Sequence, residues 1–111
     1  MAGFVKGDVV VVPFPYSDLS QSKRRPALVI TPLPSGDVVL CQITSQAVTD
    51  GDAVPLNISD FTTGSLPKPS NIRANKLFTA DAEIILRTAG RVTENKLQDV
   101  INRVVEVVRR S

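Results

Sequence analysis

The sequence predicts an α+β domain in which a strongly curved antiparallel sheet is followed by one C-terminal helix. Three observations carry this. Runs of β-branched residues recur between residues 9 and 79, separated by Pro, Gly and Ser. From Thr93 onward the apolar residues change to helical spacing. A chain of 111 residues is enough for one core and too short for two, so residues 1–111 form a single domain.

The elements follow in order. Gly7 and Asp8 open the run Val9-Val-Val-Val12, which Pro13 and Pro15 close. Four β-branched residues without polar alternation indicate a strand covered on both faces. Pro26 to Thr31 is a second such strand, and Asp37 to Thr44 a third, with Ser35-Gly36 suited to a hairpin turn between them. Ala53 to Ile58 reads as a short fourth strand, placed at an edge by Pro55. Ile72 to Thr79 alternates imperfectly and is a fifth strand, while Ile84 to Leu86 fits either strand or helical turn. Gly90 reads as a turn before Thr93, an N-cap for a helix whose Leu97, Val100, Ile101, Val104, Val105 and Val108 share one face. Arg109 and Arg110 fall at its C-terminal end, where the helix dipole favours cations. Three polar or Pro/Gly-rich segments carry no periodic pattern: Pro13–Arg25, Ser45–Asp52 and Ser59–Pro69. Loops of that length on a small sheet are more often functional than connective.

Composition removes several classes. Hydrophobic residues at 42% and charged residues at 22% exclude disorder. No apolar run approaches the roughly 18 residues of a membrane span, and the first residues form no apolar signal-like stretch, so a cytoplasmic protein is expected. The single cysteine, Cys41, excludes an internal disulfide and a cysteine zinc site, and its place within an apolar strand makes it a core residue. There is no histidine, which excludes paired-imidazole RNA cleavage and every Ser-His-Asp or Cys-His arrangement. No phosphate-binding glycine loop is present. Asp50-Gly-Asp52 does not continue into a calcium loop and reads as a turn.

The net charge of +2 is mild, but it is unevenly spread. Residues 1–60 sum to −2 and residues 61–111 to +4. Between Asp60 and Asp81 there is no acid, while Lys68, Arg73 and Lys76 are present. That stretch and Lys23-Arg-Arg25 would meet a polyanion. Pro26 pushes Arg25 into an extended conformation at the start of a buried strand, which aims its guanidinium and suits it to grip a phosphate with two parallel hydrogen bonds. Arg24 and Arg25 equally fit solubilising charges that flank an apolar strand. Thr44, Ser45 and Gln46 place hydroxyls and an amide at a strand end, fit either for a ligand or for capping the turn. Arg73 and Asn75 share one strand face, with Lys76 on the other; a surface ion pair explains Arg73 as well as an anion contact does. Phe14 and Tyr16, in a polar loop, suit either base stacking or a core plug.

Together, Gly7-Asp-Val-Val-Val-Val-Pro-Phe14, Lys23-Arg-Arg-Pro-Ala-Leu-Val-Ile30, Gln42-Ile-Thr-Ser-Gln46, Asn71-Ile-Arg-Ala-Asn-Lys-Leu-Phe-Thr79 and Gly90-Arg-Val-Thr-Glu94 resemble the MazF/PemK toxin family. The likeness runs from Gly7 to about Val108. It implies a small SH3-like barrel with a C-terminal helix, of the MazF/Kid/CcdB type. It also implies a homodimeric toxin of a type II toxin–antitoxin system. Such a toxin is a metal-independent, cofactor-free endoribonuclease that cuts single-stranded RNA at short sequences, leaves a 2′,3′-cyclic phosphate, and inhibits translation and growth. The resemblance further implies a cognate antitoxin whose tail enters the RNA groove, DNA binding only through the antitoxin complex, and no membrane partner. Under it, Arg25, Thr44 and Arg73 are the catalytic residues, and Ser20, Gln21, Lys23, Arg24, Ser45, Gln46, Asn75 and Lys76 bind RNA.

Two departures bear on the chemistry. Asn75 stands where several members carry an aspartate, and Leu19-Ser-Gln-Ser-Lys23 replaces a Gly-Ser-Glu-Gln stretch. Two other functions share the fold: a non-enzymatic gyrase inhibitor, and a catalytically weak RNA-binding domain. The first is opposed by the ending Val108-Arg-Arg-Ser111, which lacks a bulky aromatic; the second is motivated by Asn75.

Overall fold

The structure, a computed structural model, describes residues 3–15 and 22–110. Its strands are β1 (Asp8–Pro15), β2 (Ser22–Pro32), β3 (Asp37–Thr44), β4 (Ala53–Leu56), β5 (Phe61–Gly64), β6 (Ser70–Asp81) and β7 (Arg87–Val92). The helix α1 spans Glu94–Arg109, and short 3₁₀ turns occupy Ile58–Asp60 and Ala82–Ile84. The strands form one antiparallel sheet in the order β4-β6-β3-β2-β1-β7-β5.

Chain connectivity forces this sheet to curl. β4 and β5 hold opposite edges, yet only residues 57–60 join them. A flat sheet of seven strands would be about 29 Å from edge to edge. The five residue steps from Leu56 to Phe61 reach no further than about 18 Å. The sheet therefore bends into a half-barrel. Register shifts at Val9/Val10, Val29/Thr31, Cys41/Ile43 and Phe61/Thr63 supply the bending, because an extra residue on one strand increases local twist.

Both faces of the central strands are covered, as the unalternating valines predict. Val9, Leu28, Cys41, Ile43 and Ile72 pack with Leu97 and Val100 of α1 on one side. Val10, Val12, Ala27, Val29 and Leu40 form a second cluster on the other, closed by Phe4, Phe78 and Ile85. Thr93 caps α1 as expected, its Oγ1 accepting the Lys96 backbone N–H at 3.1 Å. Asp8 is buried, and its carboxylate is satisfied by the Val5 N–H and Arg91 Nε, each at 3.0 Å. Burial pushes the Cys41 thiol up to about 12, so it serves as a core residue.

Two sequence expectations change, and one open reading is decided. Gly90 is not a turn but lies within β7, paired to β1 at Val9 and to β5 at Gly64. Its missing side chain is what lets β5 approach: a Cβ there would stand 2.5 Å from the Thr63 carbonyl oxygen. β5 emerges from the unpatterned segment after Ser59. The stretch from Ile84 to Leu86 resolves as the end of a 3₁₀ turn leading into β7.

Candidate active site

The strand register brings the two strongest sequence candidates together. Ala27 on β2 pairs with Gln42 on β3. Continuing that antiparallel register by two residues sets position 25 beside position 44. Both Arg25 and Thr44 line one open cavity of about 860 Å³, together with Lys23, Arg24, Ser45 and Gln46. Ser20, Gln21 and Tyr16 lie outside the described residues, as does the side chain of Phe14.

Two further cations line the same cavity, and sequence reasoning did not place either there: Lys68 and Arg87. Ser70 Oγ donates to the Lys68 carbonyl oxygen at 2.9 Å and holds the bend that carries Lys68. The Leu86 N–H donates to the Val11 carbonyl oxygen at 2.8 Å, which aligns Arg87 beside Val11. Arg25 pairs with Val12 from the opposite side of β1. The two arginines thus flank one strand, separated by about two strand spacings, or ~9.5 Å. Lys68 had one sequence signal, the acid-free stretch after Asp60; Arg87 had none.

Among the described residues the lining holds five cations and no carboxylate. Its apolar part comes from Val11, Ile43, Leu66 and Leu86. Thr44 is buried, and its Oγ1 accepts the Gln46 N–H at 3.2 Å. That bond occupies an oxygen lone pair and leaves the hydroxyl hydrogen to donate. Such a wall can bind a backbone of alternating negative charges and place an apolar surface under attached bases.

The structure does not bring Arg73, Asn75 or Lys76 into this lining. Arg73 Nη2 instead binds Asp50 Oδ2 at 3.1 Å. Asn75 Nδ2 donates to Asp50 Oδ2 at 2.8 Å and to Asp52 Oδ2 at 3.1 Å. The Asp50–Asp52 turn is present, with Gly51 at φ +80° and the Asp52 N–H donating to Asp50 Oδ1 at 3.0 Å. The Asn75 amide, then the Asp52 N–H, hold the Asp50 carboxyl below its ordinary value. Among the described residues no three His, Cys, Asp or Glu side chains gather as a metal site, and no helix is long and apolar enough to cross a membrane.

Comparison with known families and structures follows the same lines. The family of PemK-like, MazF-like toxins of type II toxin–antitoxin systems matches residues 5–108. MazF (Form-I) from Deinococcus radiodurans superposes with a TM-score of 0.76 at 21% identity, over 97% of this chain and 98% of that one. The MazE–MazF complex (Form-III) from the same organism gives 0.77 at 20% identity, with 97% and 98% covered. An endoribonuclease in complex with its cognate antitoxin, from a mycobacterial species, gives 0.75 at 17% identity, with 96% and 95% covered. At these identities the structures speak for the fold alone. No curated protein matches the sequence.

Proposed function

The chain belongs to the PemK-like, MazF-like toxin family of type II toxin–antitoxin systems, and on that premise we propose that it is an endoribonuclease that cuts single-stranded RNA within the cationic cavity at the β2–β3 strand ends. The observation that carries this reading is that Arg25 and Thr44 line one cavity with four further cations and, among the described residues, no acid.

The reaction is a transesterification. The ribose 2′-oxygen forms a bond to the adjacent phosphorus, the bond from phosphorus to the 5′-oxygen breaks, and the 5′-oxygen takes up a proton. The products are a 2′,3′-cyclic phosphate and a 5′-hydroxyl. Arg25 neutralises charge on the pentacoordinate phosphorus through its two-pronged guanidinium, and Thr44 donates its hydroxyl hydrogen to a phosphate oxygen. Arginine, with an ordinary pKa above about 12, is a poor base at neutral pH. Positioning and charge stabilisation therefore carry the rate, and the protons exchange with water in the open cavity. The five cations of the lining repel a divalent metal, which supports a metal-independent reaction.

Lys23, Arg24, Lys68 and Arg87 hold neighbouring phosphates, while Ser45, Gln46 and the apolar wall contact bases and confer sequence preference. The partners are a cognate antitoxin protein, DNA only through that complex, and a second copy of the chain. The exposed Leu77, Ile84 and Leu86 offer apolar surface for that second copy. The protein acts in the cytoplasm by cutting mRNA, which arrests translation and growth.

Primer extension on a long RNA incubated with the purified protein in EDTA, beside Arg25→Ala, tests this. Discrete cuts that need Arg25 and resist EDTA are expected. Intact RNA overturns the assignment, and binding without cleavage or gyrase inhibition then becomes the reading. A monomer at micromolar protein by analytical ultracentrifugation overturns the dimer.

A further inference from the structure

The loop from Ser45 to Asp52 joins the cavity rim to the far end of α1. Its first residues, Ser45 and Gln46, line the cavity. Alternate residues of β6 run alongside it as a row of donors. Asn71 Nδ2 donates to the Gln46 carbonyl oxygen at 3.2 Å. Arg73 and Asn75 hold Asp50, and Asn75 also reaches Asp52. The helix closes the clasp: Arg103 Nη1 donates to the Gly51 carbonyl oxygen at 2.8 Å. Arg110 Nη2 and Nη1 donate to Asp52 at 2.6 and 3.4 Å. Asp52 is buried, whereas Arg110 is half exposed and far along the chain from every residue of the cavity.

We infer that Arg110 is a positioning residue for the RNA cavity, acting through Asp52 on the 45–52 loop; this rests on the ribonuclease reading of that cavity. A buried carboxylate that loses its guanidinium partner must turn out to water. Turning Asp52 also breaks the bond from Asn75 Nδ2, which holds Asp50 as well, and so loosens the short chain that leads to Gln46 and Ser45. The effect falls on substrate binding. Arg25 and the Thr44 backbone sit on β2 and β3, held by sheet pairing, and the turn from the Gln46 N–H to Thr44 Oγ1 is local to the strand end, so both keep their places when residues 47–52 loosen. Arg73 and Asn75 thereby have a role outside the chemistry, as holders of the loop.

The test compares Arg110→Gln, Arg110→Lys and Arg109→Gln in the full chain. Arg109 is the neighbouring cation at the helix end and separates the clasp from a general loss of charge. Amide hydrogen exchange over residues 47–51 is read first, since it needs no substrate. Arg110→Gln is expected to speed that exchange at least about tenfold while exchange in the middle of α1 is unchanged. With RNA, it raises KM about three- to tenfold and leaves kcat within about twofold. Arg110→Lys, which keeps a cation on Asp52, returns both readouts toward the unaltered protein, and Arg109→Gln moves neither. Unchanged loop exchange in Arg110→Gln overturns the inference, as does faster exchange with an unaltered KM, or a loss confined to kcat. If the unaltered protein neither binds nor cuts RNA, the ribonuclease reading fails by that result, and the loop exchange still decides whether Arg110 holds the loop.

Discussion

Gln46 donates its backbone N–H to Thr44 Oγ1 across 3.2 Å, so the last residue of β3 has its side chain fixed by the loop that follows it. A threonine free to rotate would spread its hydroxyl over several rotamers. This one has a lone pair already engaged and a single hydrogen left to aim into the cavity.

Thr44→Val follows from that geometry. Valine keeps the shape, removes the hydroxyl and leaves the Gln46 N–H without its acceptor. A stability loss of about 1 kcal/mol is expected, against a fall in cleavage rate of about a hundredfold if the hydroxyl is the donor to the phosphate. Thr44→Ser keeps the oxygen and should stay within about tenfold of the parent rate. Single-turnover cleavage of a mapped RNA site, beside thermal unfolding, separates the two effects. Equal rates for the valine and threonine proteins would remove Thr44 from the chemistry.

The cavity's charge predicts a salt law. For single strands the logarithm of the binding constant falls with the logarithm of salt by about 0.7 per phosphate contact. Lys68→Ala and Arg87→Ala, each placed in an Arg25→Ala background so that RNA is not consumed, should each flatten that slope by about 0.7. Fluorescence anisotropy with a short single-stranded RNA across a salt series measures it. A slope that does not move would place that cation away from the RNA.

What could be read from the sequence followed from local signals. β1, β2 and β3 announce themselves as β-branched runs, β6 as an imperfect alternation, and α1 as a 3.6-residue period after Thr93, because burial on one or two faces demands those patterns. β5 and β7 read Phe-Thr-Thr-Gly and Arg-Thr-Ala-Gly-Arg-Val, largely polar and exposed. Their strand state comes from pairing with β1 and with each other, which no window of sequence contains. The same divide runs through the site. Arg25 and Thr44 stand at visible strand ends, whereas Arg87 enters the cavity only because β7 returns beside β1. That Arg73 and Asn75 share a face was legible from alternation; that the face meets Asp50 and Asp52 was not, since those partners come from an unpatterned loop.

Cys41 tests the core directly. With its thiol pushed up to about 12 by burial, the reactive thiolate is scarce at pH 8. Ellman's reagent should leave the native protein unlabelled at pH 8 and titrate one thiol per chain in denaturant. Rapid labelling of the native state would mean that β3 opens readily between its two apolar layers.

Gly90→Ala probes the closure of the half-barrel. The added carbon would meet the Thr63 carbonyl oxygen at 2.5 Å and a Phe61 ring carbon at 3.0 Å. Overpacking of this kind costs about 1–3 kcal/mol, and Tm should drop by at least about 4 °C in a domain of this size. Gly3→Ala, where the new carbon meets nothing within 4 Å, should stay within about 0.5 kcal/mol of the parent. If both variants melt together with the unaltered protein, the β5–β7 approach is looser than the geometry shows.

The clasp on the loop carries its own pH dependence, set by Asp50. Its carboxyl is held below the ordinary aspartate value of 3.8 by the Asn75 amide first, then by the Asp52 N–H and by Arg73. Arg110 also lies within its field, and its own guanidinium is raised chiefly by the bond to Asp52. A carboxyl that is more acidic in the folded state stabilises that state fully above its unfolded value, and the contribution is lost as pH falls through the folded value. Asp50→Asn should therefore lower Tm at pH 5 to 7, and the difference should shrink once the pH falls below 3.8. The two proteins should converge at the acid end, where Asp50 is protonated and resembles its amide. Melting curves of both across that range settle the sign. A gap that widens toward acid would mean that Asp50 is bound as the neutral acid, and that Arg73 is not its partner.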